Sequence, residues 1–570
     1  MDAPRAVRVL TEVAAVDRPF DYLVTEATSH VGVGDRVRID FNHRVVRGWV
    51  ISEVPVSPDL KPLSKWLGYG PSPALIDLAH WAGQRWCGPV SRFLIGATPK
   101  RQYTSLPVAP EAKPLPSVIA NELRVFAPGV HQVSPTTDPL DVVLSAYEQT
   151  WDREGSLLVL VPTEAWAARL RGRLEQRGCD VASGDQQWDR IRAGWPVVIG
   201  ARGAALAPVP IVAGAVIIDA DDESYRSEAS PTWEATTLMI ERCKREVAPL
   251  WLTSSVPSPR LQALGELHRE EKYANGWARV SVVDRRSSDP HEGVLSKQAV
   301  LLAHQALAGE EPVAVLVVLQ RLGAGRLFAC KKCGELARCT QCGQGEEEVE
   351  GKLSCRERHV VRENFCLQCG ATNLKRIRSG VSTLARDVSA QLSQPVSEVT
   401  AKSELTGPLH RVVVGTEAAW QRVRRCGVVI FVDFDQYLLA PRDSARRQAL
   451  GAVAKASRLV GSRTQARGSV VLQTRRGEDE VLTALQTANL DAILQEDFQT
   501  AQLLGLAPYG AHAEISGEGA TEFVAQLEGQ GLRIYASEDS YSIQSDSIDN
   551  LTSALRQAVR LPKKLRIAVD

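Results

Sequence analysis

Cysteine is the residue type whose spacing points most directly to chemistry in this chain. Seven of the eleven cysteines lie between residues 330 and 369, and six of these seven form three C-x-x-C pairs. A C-x-x-C pair on a tight turn directs two thiolates at one tetrahedral ion, and two such pairs complete a structural zinc site. With one further cysteine and one histidine, the segment holds enough ligands for two structural Zn2+ ions. The eight candidate ligands are Cys330, Cys333, Cys339, Cys342, Cys355, His359, Cys366 and Cys369.

Two ligand sets are expected. The first is all-cysteine and consists of Cys330, Cys333, Cys366 and Cys369. The second consists of Cys339, Cys342, Cys355 and His359.

The alternative for these cysteines is buried core thiols or disulfides. Residues 1–10 are charged and broken by Pro4, unlike a secretory leader, and no apolar run is long enough to span a membrane. The expected compartment is therefore the reducing cytoplasm, where disulfides are disfavoured. The four isolated cysteines are interpreted as core residues: Cys87, Cys179, Cys243 and Cys426.

Length and composition set broad limits. A chain of 570 residues is too long for one core, and three to five domains are expected. The formal net charge is zero, which argues against an overall basic coat for nucleic acid, although a neutral sum can hide a local basic face. The basic segments 375–378 and 422–425 are equally well explained as solvated loops.

The hydrophobic pattern changes along the chain. Residues 1–104 alternate apolar and polar positions around glycine turns, which predicts a small β-rich domain followed by a helix over 74–86. Residues 105–140 are rich in proline and read as a linker. Further on, short runs that are apolar throughout alternate with helical patterns such as 163–177, and this is typical of parallel sheets covered on both faces. Residues 476–570 read as a last α+β unit, with a helix over 478–495 and a strand over 532–536.

Taken together, these features resemble the PriA family of bacterial primosomal proteins, which restart stalled replication forks. The stretch FDYLV…VGVGDRVRIDF…GWV is similar to that family's domain for a DNA 3′ end, and LLGLAPYGAHAEISG and LRIAVD are similar to its closing domain. The sequence QRLGAGRLFACKKCG stands where PriA proteins have a strand, an arginine/glycine turn and their first zinc pair. PriA proteins carry eight cysteines; seven match here, Arg358 stands at the place of the sixth, and His359 is next to it.

The resemblance implies a multidomain α/β protein with two RecA-like helicase lobes. The expected domains are a β-rich DNA 3′-end-binding domain (1–104), a linker (105–140), lobe 1 (141–260), lobe 2 (261–475) with a zinc-binding insertion (328–372), and an α+β C-terminal domain (476–570).

The chain departs from the family where the ATPase chemistry should be. No G-x-x-x-x-G-K-[ST] loop occurs, so the phosphate-cradling amides and the lysine of a Walker A loop are missing. The family's Asp-Glu-Glu-His box aligns with Asp219-Ala220-Asp221-Asp222, in which Asp219 could still hold Mg2+ but alanine replaces the glutamate that would orient water. In ASRLVGSR, Val460 replaces the first arginine of motif VI and Arg463 keeps the second.

Surviving apolar strands with lost polar residues indicate a retained fold and a lost active site. This resembles the actinobacterial branch of PriA, which is described as lacking helicase motifs. Weak or no binding of ATP and Mg2+ is therefore expected, and the remnants Asp219, Asp221, Asp222 and Arg463 are not assigned catalytic roles.

The leading hypothesis is a non-catalytic, nucleoid-associated scaffold that binds stalled or branched forks. By resemblance, its partners would be DNA (forks, 3′ ends, single strands), primosome components, the machinery that loads the replicative helicase and single-stranded DNA-binding protein, with no membrane. The 3′-end pocket would use Phe20 and Asp21, with Gly34 and Lys61 nearby; Phe20 could stack on a base or belong to the core. The alternatives are an active 3′→5′ helicase with divergent motifs, and a zinc-stabilised interaction protein that does not bind DNA.

Overall fold

The computed structural model describes most of the chain. Arg358 and Arg378 lie outside the described residues. No helix within them is long and apolar enough to cross a bilayer. The described ranges are 4–13, 16–41, 44–286, 292–320, 328–349, 351–355, 359–376, 380–400, 403, 407–440, 444–465, 468–537, 540–559 and 564–570.

The N-terminal domain is a small barrel followed by two helices. Alternate residues such as Val7, Val9 and Tyr22 are buried inside the barrel, as the period-2 pattern predicts. The sheet order is β5-β2-β1-β4-β3-β6; because β5 and β6 are nearly contiguous in the chain, their pairing with β2 and β3 closes the sheet. The elements are β1 (Ala6–Thr11), β2 (Phe20–Leu23), β3 (Arg36–Phe41), β4 (Arg44–Val54), β5 (Lys61–Pro62), β6 (Lys65–Gly68), α1 (Pro73–Arg85) and α2 (Val90–Ala97).

Lobe 1 is an all-parallel sheet of seven strands, ordered β13-β7-β12-β11-β8-β10-β9 and covered by helices. Its sheet extends beyond the range 141–260, since β7 comes from the segment expected to be linker and β13 follows residue 260. The elements, preceded by the short α3 (Ser117–Ala120), are β7 (Gly129–Gln132), α4 (Pro139–Glu148), β8 (Ser156–Leu160), α5 (Glu164–Glu175), β9 (Val181–Ala182), α6 (Trp188–Ala193), β10 (Val197–Gly200), β11 (Val212–Ile217), α7 (Ala235–Glu246), β12 (Leu250–Ser254), α8 (Pro259–Gln262) and β13 (Leu267–Arg269).

Lobe 2 is a second all-parallel sheet, of six strands ordered β14-β24-β23-β15-β22-β21, with the cysteine-rich insertion between β15 and α10. The elements are β14 (Arg279–Asp284), α9 (Lys297–Leu307), β15 (Val313–Val318), the insertion's β16 (Phe328–Cys330), β17 (Glu347–Val349), β18 (Lys352–Ser354), β19 (Val361–Glu363) and β20 (Leu374–Arg376), then α10 (Val381–Leu392), β21 (Val396–Val399), β22 (Val412–Gly415), α11 (Ala419–Arg422), β23 (Cys426–Phe431), α12 (Asp435–Leu438), α13 (Ala445–Val460) and β24 (Ser469–Thr474).

The segment expected to form one helix over 478–495 forms two, α14 (Glu480–Thr487) and α15 (Asp491–Leu503). The break falls at Ala488, whose φ of 56° is left-handed and cannot continue a right-handed helix. Val481, Leu485 and Leu494 of these helices are buried in the core of lobe 2, although the segment was expected to belong to the last domain.

The C-terminal domain is an antiparallel sheet ordered β26-β27-β25-β28 with two helices. Its apolar core is continuous with that of α1, α2 and lobe 1, so that Trp86, Leu252 and Ile543 are buried in one cluster. The predicted class, a multidomain α/β protein with two parallel sheets, is confirmed. The elements are β25 (Ala511–Gly517), α16 (Ala520–Ala525), β26 (Arg533–Ala536), β27 (Ser540–Ser545), α17 (Ile548–Gln557) and β28 (Leu565–Val569).

Two carboxyl groups are buried together at the carboxyl end of β23. Asp435 accepts hydrogen bonds from the Thr474 hydroxyl at 2.5 Å and the Arg475 backbone N–H at 2.8 Å. Burial and the nearby charge of Asp433 raise the pKa of Asp435 to about 7, and burial also raises the pKa of Asp433. The folded state therefore binds a proton that the unfolded chain releases near pH 4.

We expect lobe 2 to lose stability as the pH rises from about 4 to about 7, because a carboxyl group with a raised pKa stabilises the fold only while it is protonated. Asp435→Asn should remove this loss, which is on the order of a few kcal/mol. The measurement is the difference in thermal unfolding midpoint between variant and parent at pH 5, 6, 7 and 8. Asp387→Asn, an exposed carboxyl on α10, is the control. A difference that does not grow with pH would contradict the assignment.

Candidate functional site

The three C-x-x-C pairs share one backbone geometry. In each, the N–H of the glycine that follows the second cysteine donates to the carbonyl of the first, at 2.8–2.9 Å. These glycines have φ of 75°, 69° and 71°, a left-handed conformation that glycine adopts without steric cost. The repeated sequence C-x-x-C-G is therefore a turn that aims two thiols the same way. The glycines are Gly334, Gly343 and Gly370.

The turns bring the predicted ligands together in two clusters, each with four ligand atoms within 4.8 Å of one another. In the first, Cys330 Sγ lies 3.5 Å from Cys369 Sγ, and Cys333 Sγ lies 3.5 Å from Cys366 Sγ. A tetrahedral ion with metal–sulfur bonds of about 2.3 Å needs sulfurs about 3.8 Å apart, so the first cluster fits a metal ion of this size.

The second cluster contains Cys339, Cys342, Cys355 and His359, the set expected from the sequence. In this cluster Cys355 Sγ lies 3.6 Å from His359 Nδ1. Two ligands of this cluster therefore come from a cysteine and a histidine four residues apart, rather than from a second C-x-x-C turn. The donor atoms fit a three-cysteine, one-histidine metal site.

The two thiols of a C-x-x-C pair differ in acidity, and the first cysteine is the more acidic one in the pairs Cys330/Cys333 and Cys339/Cys342. Burial raises the pKa of Cys330, but the backbone N–H groups of Cys333 and Lys332 outweigh it and lower the pKa to about 7. The corresponding N–H groups of Cys342 and Gln341 lower the pKa of Cys339 to about 7 in the same way. Burial and the neighbouring thiols raise the pKa of the second cysteine of each pair, to about 12 for Cys333 and about 11 for Cys342. Because the thiolate is the form that binds metal, metal binding at these pairs is expected to release protons.

Asp21, predicted for the DNA 3′-end pocket, is held by an arginine that the sequence reasoning missed. Arg8 Nε and Nη2 lie 2.8 and 3.0 Å from the two carboxylate oxygens of Asp21, its cross-strand neighbour on β2. The hydrogen bond from Arg8 lowers the pKa of Asp21, which is therefore ionised, and its side chain is 30% exposed. The segments AVRVL and FDYL pair across the sheet, and both alternate apolar and polar residues. This alternation is the sequence signal from which the ion pair could have been predicted.

The other predicted pocket residues have different environments. Phe20 is half-buried, with its ring 4.7 Å from that of Phe41 and the guanidinium of Arg18 5.1 Å above it. Lys61 is exposed on β5, in register with Tyr22 on β2, so Phe20, Asp21 and Lys61 lie on adjoining strands.

Gly34 lies in the turn before β3. A Cβ there would lie 1.9 Å from the carbonyl oxygen of Pro71, and φ is +95°. Packing within the chain therefore already requires glycine at this position.

The loop 133–138 connects β7 to α4, the strand–loop–helix position that a phosphate-binding loop occupies. In this protein the anion bound by the loop is a carboxylate of the chain itself. The carboxylate of Glu270 accepts hydrogen bonds from the Ser134 N–H at 2.7 Å and the Thr137 hydroxyl at 2.6 Å, and it also pairs with Arg124. Burial raises the pKa of Glu270, but these donors outweigh it and leave the pKa lowered, so the group is an anion.

The first turn of α4 is also occupied by a carboxylate. The side chain of Asp138 accepts from the Leu140 N–H at 3.0 Å and pairs with Arg173 at 2.8 Å. The Leu140 N–H, one of the donors at the start of α4 that could face a phosphate, therefore has an internal acceptor.

The acidic residues that align with the Asp-Glu-Glu-His box lie just after β11, and each has a partner within the chain. Asp219 contacts Arg458 of lobe 2, and Asp222 Oδ2 lies 2.8 Å from Lys455 Nζ. Asp221 accepts from the Ser258 N–H at 2.9 Å and so stabilises the start of α8. Ala220 is buried, with 2% of its surface exposed, in the apolar core of lobe 1.

The two motif VI positions differ from their expected environments. Val460 lies in the core of lobe 2, and Arg463 donates to carbonyls at the C-terminal end of α14, including that of Thr487 at 3.2 Å. Arg463 is thus a helix cap. The arginine that contacts Asp219 is Arg458, two positions before Val460. The alignment of ASRLVGSR missed it because the spacing differs.

The barrel, the two parallel-sheet lobes and the cysteine-rich insertion define a multidomain α/β protein. Residues 8–99 match the 3′DNA-binding domain (3′BD) of PriA. Replication restart protein PriA of Synechocystis sp. is 23% identical over 558 residues, which cover 81% of this chain and 66% of that protein. The PriA protein of Treponema pallidum is 29% identical over 57% of this chain and 56% of its own length. The resemblance to the PriA family is thereby confirmed.

The chain matches between about half and two thirds of the length of the PriA proteins of Synechocystis sp., Treponema pallidum and Thermotoga maritima. Among solved structures, S. cerevisiae Dbp5 bound to RNA and ADP BeF3 is 12% identical, with a TM-score of 0.35, over 75% of this chain and 92% of that one.

We expect two metal ions per chain in the parent protein and one in Cys330→Ser, because loss of one thiolate opens the all-cysteine cluster and leaves the other intact. Elemental analysis of the purified chain is the measurement. Hydrogen exchange should show local unfolding of the insertion and an unchanged barrel. Cys179→Ala, at a cysteine outside both clusters, should retain both ions. A single ion in the parent would mean that the histidine-containing cluster binds no metal.

Proposed function

We propose that this chain is a replication restart protein that binds stalled or branched forks and helps to reassemble the primosome without hydrolysing ATP. The observation that carries the DNA-binding part is the match of residues 8–99 to the PriA 3′ DNA-binding domain. The similarity to proteins named replication restart protein PriA supports the assignment to restart.

In this proposal the N-terminal barrel takes the free 3′ end of a strand. Phe20 offers a half-buried ring for stacking once Arg18 moves aside, and the ionised Asp21 offers an acceptor for a 3′-hydroxyl or a base edge. Lys61 is exposed on the adjoining strand and suits a backbone phosphate. Gly34 would act by keeping the turn close to Pro71 rather than by contacting DNA.

The two metal clusters would hold structural Zn2+. Thiolate and imidazole donors at tetrahedral spacing favour zinc among the available divalent ions, and four protein ligands leave no open position for a catalytic water. The insertion would then be a folded module that contacts primosome components, the helicase-loading machinery or single-stranded DNA-binding protein. The site of action would be the nucleoid in the cytoplasm.

The absence of nucleotide turnover is supported by the pairing within the cleft. Glu270 takes the loop donors that a phosphate would need, Asp219 is paired with an arginine, and the buried Ala220 offers no base. Phosphoryl transfer depends on positioned charge, and losing one such donor costs on the order of a hundred- to a thousandfold in rate.

We expect the full-length chain to prefer a fork with a 3′-hydroxyl over the same fork with a 3′-phosphate by about threefold to tenfold, the value of one hydrogen bond. Asp21→Asn should abolish or reverse this preference, because Arg8 would then be an unpaired cation that attracts the phosphate. Affinity by fluorescence anisotropy at several salt concentrations is the measurement.

Asp77→Asn, an exposed carboxyl on α1, is the matched control and should keep the parent preference. For the 3′-hydroxyl fork, the salt dependence, which reports phosphate contacts, should change little in Asp21→Asn. Equal affinity of the parent for both forks would refute the pocket, and no fork binding at all would favour the interaction protein that does not bind DNA.

We expect ATP hydrolysis by the full-length chain to stay at background with and without forked DNA, and no unwinding. Ala220→Glu should not restore activity, since the glutamate would enter an apolar core and cost about 3 kcal/mol or more of stability. Release of inorganic phosphate and thermal unfolding are the measurements. A DNA-dependent ATPase that disappears in Asp219→Ala would instead support the helicase alternative.

A further inference from the structure

One face of α13 in lobe 2 is joined to the end of β11 in lobe 1 by polar contacts. Gln448, Lys455 and Arg458 follow one another at spacings of seven and three residues, which places them on the same side of the helix. Each of them contacts an acidic side chain of the short segment 219–223. The contact is therefore one strip of a helix against one loop, at the place where a nucleotide would lie between the lobes.

Arg458 makes the most contacts across this boundary. Its Nη2 lies 2.5 Å from Asp219 Oδ1, and its Nη1 pairs with the other carboxylate oxygen. Its Nε donates to the carbonyl of Pro135 in the loop 133–138 at 2.9 Å, and its guanidinium lies 5.3 Å from the ring centre of Trp166 on α5. One side chain of lobe 2 thus binds three separate elements of lobe 1.

Two further contacts flank Arg458. Lys455 Nζ lies 2.8 Å from Asp222 Oδ2, and Gln448 Nε2 lies 2.5 Å from Glu223 Oε1. The side chains of Asp219 and Asp222 are only 13% and 8% exposed. Separating the lobes would break two ion pairs whose carboxylates are largely buried, and it would require the charges to be solvated again.

We propose that these contacts form an inter-lobe lock (Asp219–Arg458, Asp222–Lys455 and Glu223–Gln448) that holds lobe 1 against lobe 2 without nucleotide, so that the two lobes move as one rigid body. A lost active site alone does not require this, since lobes without ATP chemistry could equally well be loosely hinged. The inference therefore goes beyond the proposed function.

The lock would fix the distance between the two modules that the lobes carry. The barrel domain is attached to lobe 1, where Trp188 Nε1 donates to the Ala97 carbonyl at 2.9 Å and Arg192 Nε donates to the Gly70 carbonyl at 2.9 Å. The insertion is attached to lobe 2, where Leu336 packs against Leu439. With both attachments and the lock in place, the distance from the DNA-end pocket to the metal clusters would be constant.

The test is a distance distribution across the lock in the full-length chain. Spectroscopic labels on non-canonical amino acids at Glu154 in lobe 1 and Glu310 in lobe 2, both exposed and far from α13 in sequence, avoid labelling the native cysteines. We expect one narrow distribution that saturating ATP with Mg2+ does not shift. In the double variant Lys455→Ala/Arg458→Ala, we expect the distribution to broaden and its mean to move to a longer distance.

Two controls separate the lock from general damage. Arg446→Ala removes a cation of the same helix whose partners are Glu480 and Glu496 outside lobe 1, and it should leave the distribution narrow. Lys455→Asp should broaden the distribution, and the charge swap Lys455→Asp with Asp222→Lys should narrow it again.

A broad distribution in the parent, a shift on adding ATP with Mg2+, or a double variant that stays narrow would each overturn the proposal. Should the double variant not fold, the parent distribution and the charge swap still decide. Fork binding measured on the same samples keeps the inferences apart, because a loose parent that retains its 3′-hydroxyl preference refutes the lock and leaves the proposed function standing.

Discussion

The constraint on which the centre of this molecule depends is that charge removed from water must be paired. The cleft between two parallel sheets is lined by the ends of strands, where backbone N–H groups and acidic side chains collect. In a nucleotide-dependent protein, phosphates and a metal ion would satisfy them. Here carboxylates and cations of the chain itself do so, through Glu270, Asp138, Lys455 and Arg458.

Because of this pairing, the charged side chains that line the cleft contribute to the stability of the fold. Removing one partner of a buried ion pair commonly costs 3–5 kcal/mol, because the remaining charge is left uncompensated. Asp219 also has a φ of +53°, an uncommon conformation outside glycine, and it is held there between the strand end and Arg458. An acidic residue at this position is therefore explained by structure alone, without any role in binding magnesium.

Features that depend on local sequence pattern could be predicted from the sequence. The C-x-x-C-G turns, both metal clusters and the runs that form the two parallel sheets follow from spacing and from apolar character on both faces. Contacts between distant segments could not be found in this way. Glu270 lies more than 130 residues from the loop it fills, and Arg458 escaped because the motif's spacing had changed. The lobe boundaries differ for a similar reason, since β7 and β13 are short strands whose sheet partners lie far away in the chain.

The apolar core that α1, α2, lobe 1 and the C-terminal sheet share has a consequence for how the chain melts. Trp86, Phe93 and Phe523 are buried in one cluster although they lie in elements from opposite ends of the sequence. Removing either end would expose a contiguous apolar surface, and such surfaces drive aggregation. The cooperative unit of unfolding is thus larger than any single sheet, and α1, α2, lobe 1 and the C-terminal sheet are expected to unfold together.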